Sequence, residues 1–474
     1  MIRGENRGGA DPIRGWAAGR WYLEFLRDPL RCLRETHRRR GAVTVFGEPV
    51  GWRDRERFTV VALGPENNRR VLGEPALFRT TGQGLTGPRD SAHRRLRYGM
   101  TRMQGERHRR QRELVMPAFQ RRVVATYCDE MVAIADRLLE RWSPGAPIDL
   151  RAEMRRLTLQ TSTDILFRRE DPNRAHFLGE LIEEYLRRSF SLGVVLFHAD
   201  LPGTPTRRLR RLAERIESEV RALVEEKRSA ENTPFDVMSM LVRAHDEGQP
   251  WIAADDLIGQ GMILFAASYE TVANALIWAL FLLEQHPEAL APLLDEIDGT
   301  LRGGPPTPEH FDRMPLLDGA VRESLRILPP VPYTIRTVCS ATHLGDFALR
   351  RRDRVFLSHY VTHHLPELYD EPDRFLPERW ATLRRNQYEY LPFSAGPRTC
   401  IGMSFATQSI KVALSMILTR FRLQVAPGTR IDPVVKVTLS PRAPLPMNVR
   451  KRDRSFDPTP VRGGIHELVD LPWR

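Results

Sequence analysis

Between Leu257 and Leu283 the chain is apolar almost without interruption, and Glu270 is its only charged residue there. A run of this length is enough to cross a bilayer. A span would place Glu270 near mid-membrane beside Ser268, Tyr269, Thr271 and Asn274, at high cost. The same run, coiled as a helix apolar on all sides, is at home only inside a large protein core. With 474 residues, 41% of them hydrophobic, the chain is big enough to surround such a helix. Residues 1–16 contain no apolar stretch, which predicts neither a signal peptide nor an N-terminal anchor. The expectation is a cytoplasmic protein with no membrane span.

Apolar periodicity predicts further helices over roughly 106–115, 120–142, 151–168, 174–190, 205–229, 254–285, 287–301, 315–328 and 401–419. Strand-like runs lie at 42–46, 58–63, 333–338, 354–358 and 435–449. Pro and Gly mark linkers at 143–147, 201–205 and 303–308. The predicted fold is mainly α with a small β portion, as a single domain over 1–452. A polar tail, 453–474, follows with no assignable role. The formal net charge is +12. No zinc knuckle, aromatic-basic sheet motif or helix-turn-helix spacing accompanies it, so solvated faces are expected rather than a nucleic-acid partner. The four cysteines form no CxxC pair, which argues against a disulfide scaffold or zinc site.

Cys400 lies between a Gly/Pro-containing loop and a predicted helix. Backbone N–H groups and the positive end of the helix dipole favour its thiolate, the metal-ligating form. Arg398 adds positive charge, Gly396 and Gly402 permit a tight turn and close backbone approach, and Phe393 can shield the sulfur. A buried free cysteine after a turn is the plainer reading of that residue alone. Elsewhere, Glu323 and Arg326 share a helical face and can pair. His108 and Arg112, four apart, can both donate hydrogen bonds to carboxylates. Glu270 and Thr271 are an acid and a hydroxyl inside an apolar helix. Their chemistry suits proton delivery, although Thr can also bond back to its own helix.

The segment Phe-x-x-Gly-x-Arg-x-Cys-x-Gly, 393–402, resembles the signature of the cytochrome P450 family at every fixed position. The resemblance extends over nearly the whole chain to about residue 452. It implies haem b with Cys400 as its proximal iron ligand and Phe393 and Gly402 beside the sulfur. It further implies His108, Arg112, Arg336 and Arg398 on the haem propionates, and a structural triad of Glu323, Arg326 and Arg379. Glu270 and Thr271 correspond to the oxygen-activating pair, with two departures: Ser268 stands for the usual Gly and Val272 for the usual second Thr.

The implied activity is a soluble bacterial-type monooxygenase that puts one oxygen atom of O₂ into an apolar small molecule. Electrons would come from a separate ferredoxin or flavodoxin with its reductase. Arg109, Arg110, Arg121 and Arg122 are candidates for a positive docking patch. Substrate contacts are implied at Phe265, Ala266, Val331, Tyr333 and Leu439, and in the segments 81–103 and 189–201. The second segment includes Phe190, Leu192, Val194, Val195, Leu196 and Phe197. Solvent exposure is the expectation for the arginines of 81–103. Alternatives are a peroxide-driven oxidation, desaturation or C–C coupling at the same site, and a non-catalytic haem sensor or carrier.

Overall fold

The computed structural model describes residues 12–47, 57–80, 87–168, 171–189, 191, 193–194, 200–229 and 236–472. Its axis is the helix Ala254–Gln285, 32 residues long. Asp256 opens this helix, accepting from Ala253 N at 2.8 Å and from Gln111 Nε2 at 3.0 Å. Such carboxylate contacts satisfy N–H groups that a helix start leaves free. Every residue from Val272 to Gln285 is buried. Between Ile263 and Thr271, by contrast, only Phe265 and Tyr269 are. Among the described residues this is the one helix long and apolar enough to cross a membrane. Helices Leu150–Ser162, Pro205–Ser229, Pro315–Ile327 and Met403–Arg420 pack around it.

The expected helix over 120–142 is two, Arg121–Ala125 and Cys128–Leu139. The one over 151–168 ends early, in a wide turn at Thr163–Phe167. There Thr158, Thr161 and Thr163 bond back to carbonyls of the preceding turn, which loosens a helix.

A five-stranded sheet flanks the helices. Val43–Gly47 pairs antiparallel with Phe58–Ala62, which runs parallel to Arg354–Ser358; antiparallel Tyr333–Val338 and Phe78–Thr80 complete it. This register sets Arg336 opposite Thr80. Residues 453–472 lie against the body. Val461, Ile465, Val469 and Leu471 are buried, and Asp470 N donates to Asp373 O at 2.8 Å.

Candidate functional site

The loop ahead of the helix Met403–Arg420 is built to hold one sulfur. Cys400 N donates to Phe393 O at 2.8 Å, and Thr399 Oγ1 to Gly396 O at 2.7 Å. Gly396 has φ +70, and a Cβ there would lie 2.4 Å from Leu72 O, so only glycine fits. Gly402 is different: its φ of −85 needs no glycine. A Cβ there would stand 3.9 Å from the Cys400 sulfur, so its use is the open space beside that atom. Cys400 keeps accessible surface. Burial raises its thiol pKa, opposed by the Gly402 N–H and the Arg112 charge. Sequence reasoning credited Arg398 with that electrostatic pull; the cation acting on the sulfur is Arg112.

His108, Arg112, Arg336 and Arg398 come together from three separate parts of the chain. His108 and Arg336 are buried. Burial, then Arg398 and Arg112, brings the His108 pKa down to about 4. Burial and Arg398 bring Arg336 down to about 10; burial and Arg112 do the same to Arg398. Arg398 donates to Met100 O at 3.3 Å and Gln104 Oε1 at 3.0 Å, and Arg336 to Thr334 Oγ1 at 2.6 Å. These partners are neutral, and among the described residues no carboxylate forms an ion pair with any of the four. Crowded, desolvated cations are costly unless an anion joins them. A haem carrying two propionates, with its iron at an accessible thiolate near Arg112, fits this set of donors.

Behind the loop, Glu323 is fully buried and saturated with partners. Arg326 grips it twice, at 2.8 and 2.9 Å, Arg379 Nε at 3.0 Å, Trp380 Nε1 at 2.9 Å and Leu376 N at 3.1 Å. Arg326 also donates to the carbonyls of His363, Pro372 and Arg374. His363 then accepts from Leu391 N at 2.7 Å, two residues before Phe393. The triad is thus wired to the cysteine loop through His363, which carries no sequence signal. Trp380, next to Arg379, is a further partner that sequence reasoning did not assign.

On the central helix, Thr271 Oγ1 donates to Ala267 O at 2.8 Å and Ser268 Oγ to Phe265 O at 3.1 Å. Ala267 is exposed although its helix runs through the core, so this side faces open space. Glu270 turns toward Arg155, 3.8 Å away, which also pairs with Glu183 at 2.6 Å.

The remaining candidates differ in exposure. Phe265, its ring tilted against Phe167 with centroids 4.8 Å apart, and Leu439 are buried. Tyr333 is engaged by Phe25 and Phe356. Ala266 and Val331 keep accessible surface, and Val194 is buried. Phe190, Leu192, Val195, Leu196, Phe197 and residues 81–86 lie outside the described residues. Arg95, Arg97 and Arg102 are half-buried rather than solvated; Arg95 pairs with Glu217 at 2.7 Å. The supposed docking patch is largely neutralised. Arg109 pairs with Glu106 and Glu113, Arg110 with Glu106, and Arg121 with Asp312; Arg122 bonds Gln120.

Residues 41–448 match the family model for Cytochrome P450. Cyclooctatin synthase of Streptomyces melanosporofaciens is 31% identical over 442 residues, covering 91% of this chain and 92% of that protein. Pentalenene oxygenase of Streptomyces avermitilis is 30% identical, covering 91% and 94%. The solved haem domain of cytochrome P450DA superposes with a TM-score of 0.79 at 22% identity, over 94% of this chain and 99% of that one. A cyanobacterial P450 with retinoic acid bound gives 0.75 at 23% identity, over 88% and 93%. With the family model matched over residues 41–448 and relatives at 30–31% identity covering nearly the whole chain, the chain belongs to the cytochrome P450 family of haem monooxygenases.

Proposed function

We propose that this enzyme hydroxylates or epoxidises a cyclic terpenoid hydrocarbon or a sparingly oxygenated derivative. It would work in the cytoplasm with electrons from a separate ferredoxin or flavodoxin and its reductase. The relatives named for cyclooctatin and pentalenene support the substrate class. The single observation that carries the haem assignment is the cluster of Arg112, Arg336 and Arg398 with His108, buried or half-buried and paired with no carboxylate among the described residues. Residues 1–452 are read as the catalytic domain and 453–474 as an appended tail.

Bound haem would supply dioxygen binding and its reductive activation. Cys400 would hold the iron as thiolate, steadied by the Gly402 N–H, with Phe393 beside it. His108, Arg112, Arg336 and Arg398 would hold the propionates, exchanging cation crowding for charge-assisted hydrogen bonds. Glu323, Arg326 and Arg379 touch no reacting atom; they fix the loop. Thr271 would pass protons toward the open side of the helix. Its hydroxyl donates to Ala267 O, leaving lone pairs that can accept from water. Glu270, held by Arg155, would feed that water from the protein side. Ala266, Val331 and Tyr333 are the substrate-contact candidates that retain accessible surface.

The reduced protein under carbon monoxide should show the red-shifted Soret band of thiolate ligation. Terpenoids should then shift the ferric spin state, and incubation under ¹⁸O₂ with a ferredoxin system should add one labelled oxygen to product. Spin shifts without labelled product would favour a sensor; labelling from peroxide alone would favour the peroxide-driven reading.

A further inference from the structure

Three of the four most exposed large apolar side chains among the described residues lie on one helix, Gly15–Arg27. Trp16 is 85% exposed, Leu26 79% and Leu23 65%. At spacings of seven and three they share a face. They span about 15 Å of helix length at 1.5 Å per residue.

The opposite face locks the helix in place. Trp21 stacks on Phe46 with ring centroids 4.3 Å apart and donates to Thr36 Oγ1 at 2.9 Å. Phe25 meets Tyr333 and Phe356 edge-on at 5.4 and 5.1 Å. Rotation that would tuck the outer stripe inward would break this aromatic cluster. The stripe is therefore held outward by construction.

Its surroundings are cationic. Residues 14–40 hold eight arginines against three carboxylates, Glu24, Asp28 and Glu35. Arg20 and Arg27 border the stripe, and Arg38, Arg39 and Arg40 end the next helix, Pro29–Arg40. Glu24 is taken by Arg20, and Glu35 is shared by Arg38 and Arg39. A narrow convex apolar ridge, with an indole at one end and arginines along its border, matches the boundary between lipid headgroups and acyl chains. A protein partner would need a shaped, hydrogen-bonded surface. Apart from the indole N–H and the arginine heads, this ridge offers no side-chain donor.

We propose that this helix docks the protein peripherally on an anionic bilayer. It would lie in the plane of the surface, with Trp16, Leu23 and Leu26 at the headgroup boundary and the arginines on lipid phosphates. The helix precedes residue 41, where the family match begins. The proposal goes beyond the monooxygenase reading and stands without it.

The test is co-sedimentation of the full-length holoprotein with vesicles. Equal parts phosphatidylglycerol and phosphatidylcholine should bind it, and pure phosphatidylcholine should not. Binding should weaken as salt rises from about 0.1 M to about 0.5 M, because the attraction is screened. The combined change Trp16→Ser, Leu23→Ser, Leu26→Ser should weaken binding at least about tenfold. Its carbon monoxide spectrum and melting temperature should stay as in the parent, since these side chains touch solvent. Failure of the parent to bind anionic vesicles would overturn the proposal, as would undiminished binding by the triple variant. A parent that dimerises in gel filtration, a triple variant that does not, and no vesicle binding by either would assign the face to a second copy instead.

Discussion

Two adjoining stretches of the central helix, Ile263–Thr271 and Val272–Gln285, are both largely apolar and have opposite fates. From Val272 onward each residue is buried, and the polar ones are tied to other elements. Asn274 donates to Thr438 Oγ1 at 2.9 Å, Trp278 to Leu439 O at 3.0 Å, and Glu284 accepts from Val425 N and Thr459 N. Between Ile263 and Thr271, the hydroxyls of Ser268 and Thr271 bond only to carbonyls of their own helix. The stretch from Val272 onward is locked by tertiary contacts; Ile263–Thr271 keeps spare hydrogen-bonding capacity toward open space. The cysteine loop follows the locked pattern. A monooxygenase needs both: an iron ligand that does not move, and a face that can exchange protons and accept substrate.

The largest break of this comparison is at the sulfur. Cys400→Ser should abolish the thiolate Soret band and product formation while leaving the fold, because Gly396 and Thr399 shape the loop. Far-ultraviolet circular dichroism beside the carbon monoxide spectrum reads both. Next comes Glu323→Gln, which removes one charge from a buried, fully partnered network. Uncompensated Arg326 and Arg379 should cost about 3–5 kcal/mol. Purified protein should carry little haem, and chemical denaturation should shift to lower denaturant. A variant with full haem content and unchanged stability would show that the loop stands without the triad.

The locked regions, the cysteine loop and triad together with the end of the central helix, were the easier to read from sequence. Their signals are local: Cys400 within a spaced motif, Glu323 and Arg326 three apart, an apolar run too long for anything but a core helix. What sequence missed depends on distant chain segments meeting. His363 joins Arg326 to Leu391 across positions with no shared motif. The helix Pro29–Arg40 was overlooked because arginines dilute its apolar period. Asp28 and Pro29 still mark its start, with Asp28 capping Arg31 N at 3.1 Å. Residue type alone also could not tell that Phe265 and Leu439 are buried while Ala266 and Val331 keep accessible surface.

The locked region around the triad should also fail first in acid. His359, His363 and His364 are buried beside the triad. Burial is the main cause in each: it brings His359 down to about 4 and holds His363 and His364 well below 6.5. The fold keeps them neutral, whereas the unfolded chain takes up protons as pH falls through about 6.5. Stability is therefore whole above that value and declines toward pH 4. The limit is about 1.4 kcal/mol per pH unit for each group within its window. The melting temperature should fall between about pH 7 and pH 5, and His359→Gln should flatten that slope. A parent with a flat profile would mean that these imidazoles protonate without leaving the fold.

The open half should respond differently, in coupling rather than stability. Thr271→Ala deletes one hydroxyl whose one partner among the described residues is Ala267 O, a carbonyl already placed for the helix ladder. The melting temperature should move little, within the few tenths of a kcal/mol typical of surface-like changes. Haem content and the spin shift with substrate should persist, since Cys400 and the four cations are untouched. What should change is the ratio of product to oxygen consumed, falling several-fold while hydrogen peroxide rises, because the proposed proton route has lost the Thr271 hydroxyl. Ser268, one turn away on the same helix, sets the sharper question. If Thr271→Ala stays coupled and Thr271→Ala with Ser268→Gly does not, then Ser268 supplies the second hydroxyl, and its departure from the family pattern is a relocation of the proton path. If both stay coupled, neither hydroxyl carries the proton, and the comparison between the two halves of the helix loses its chemical meaning and keeps only its mechanical one.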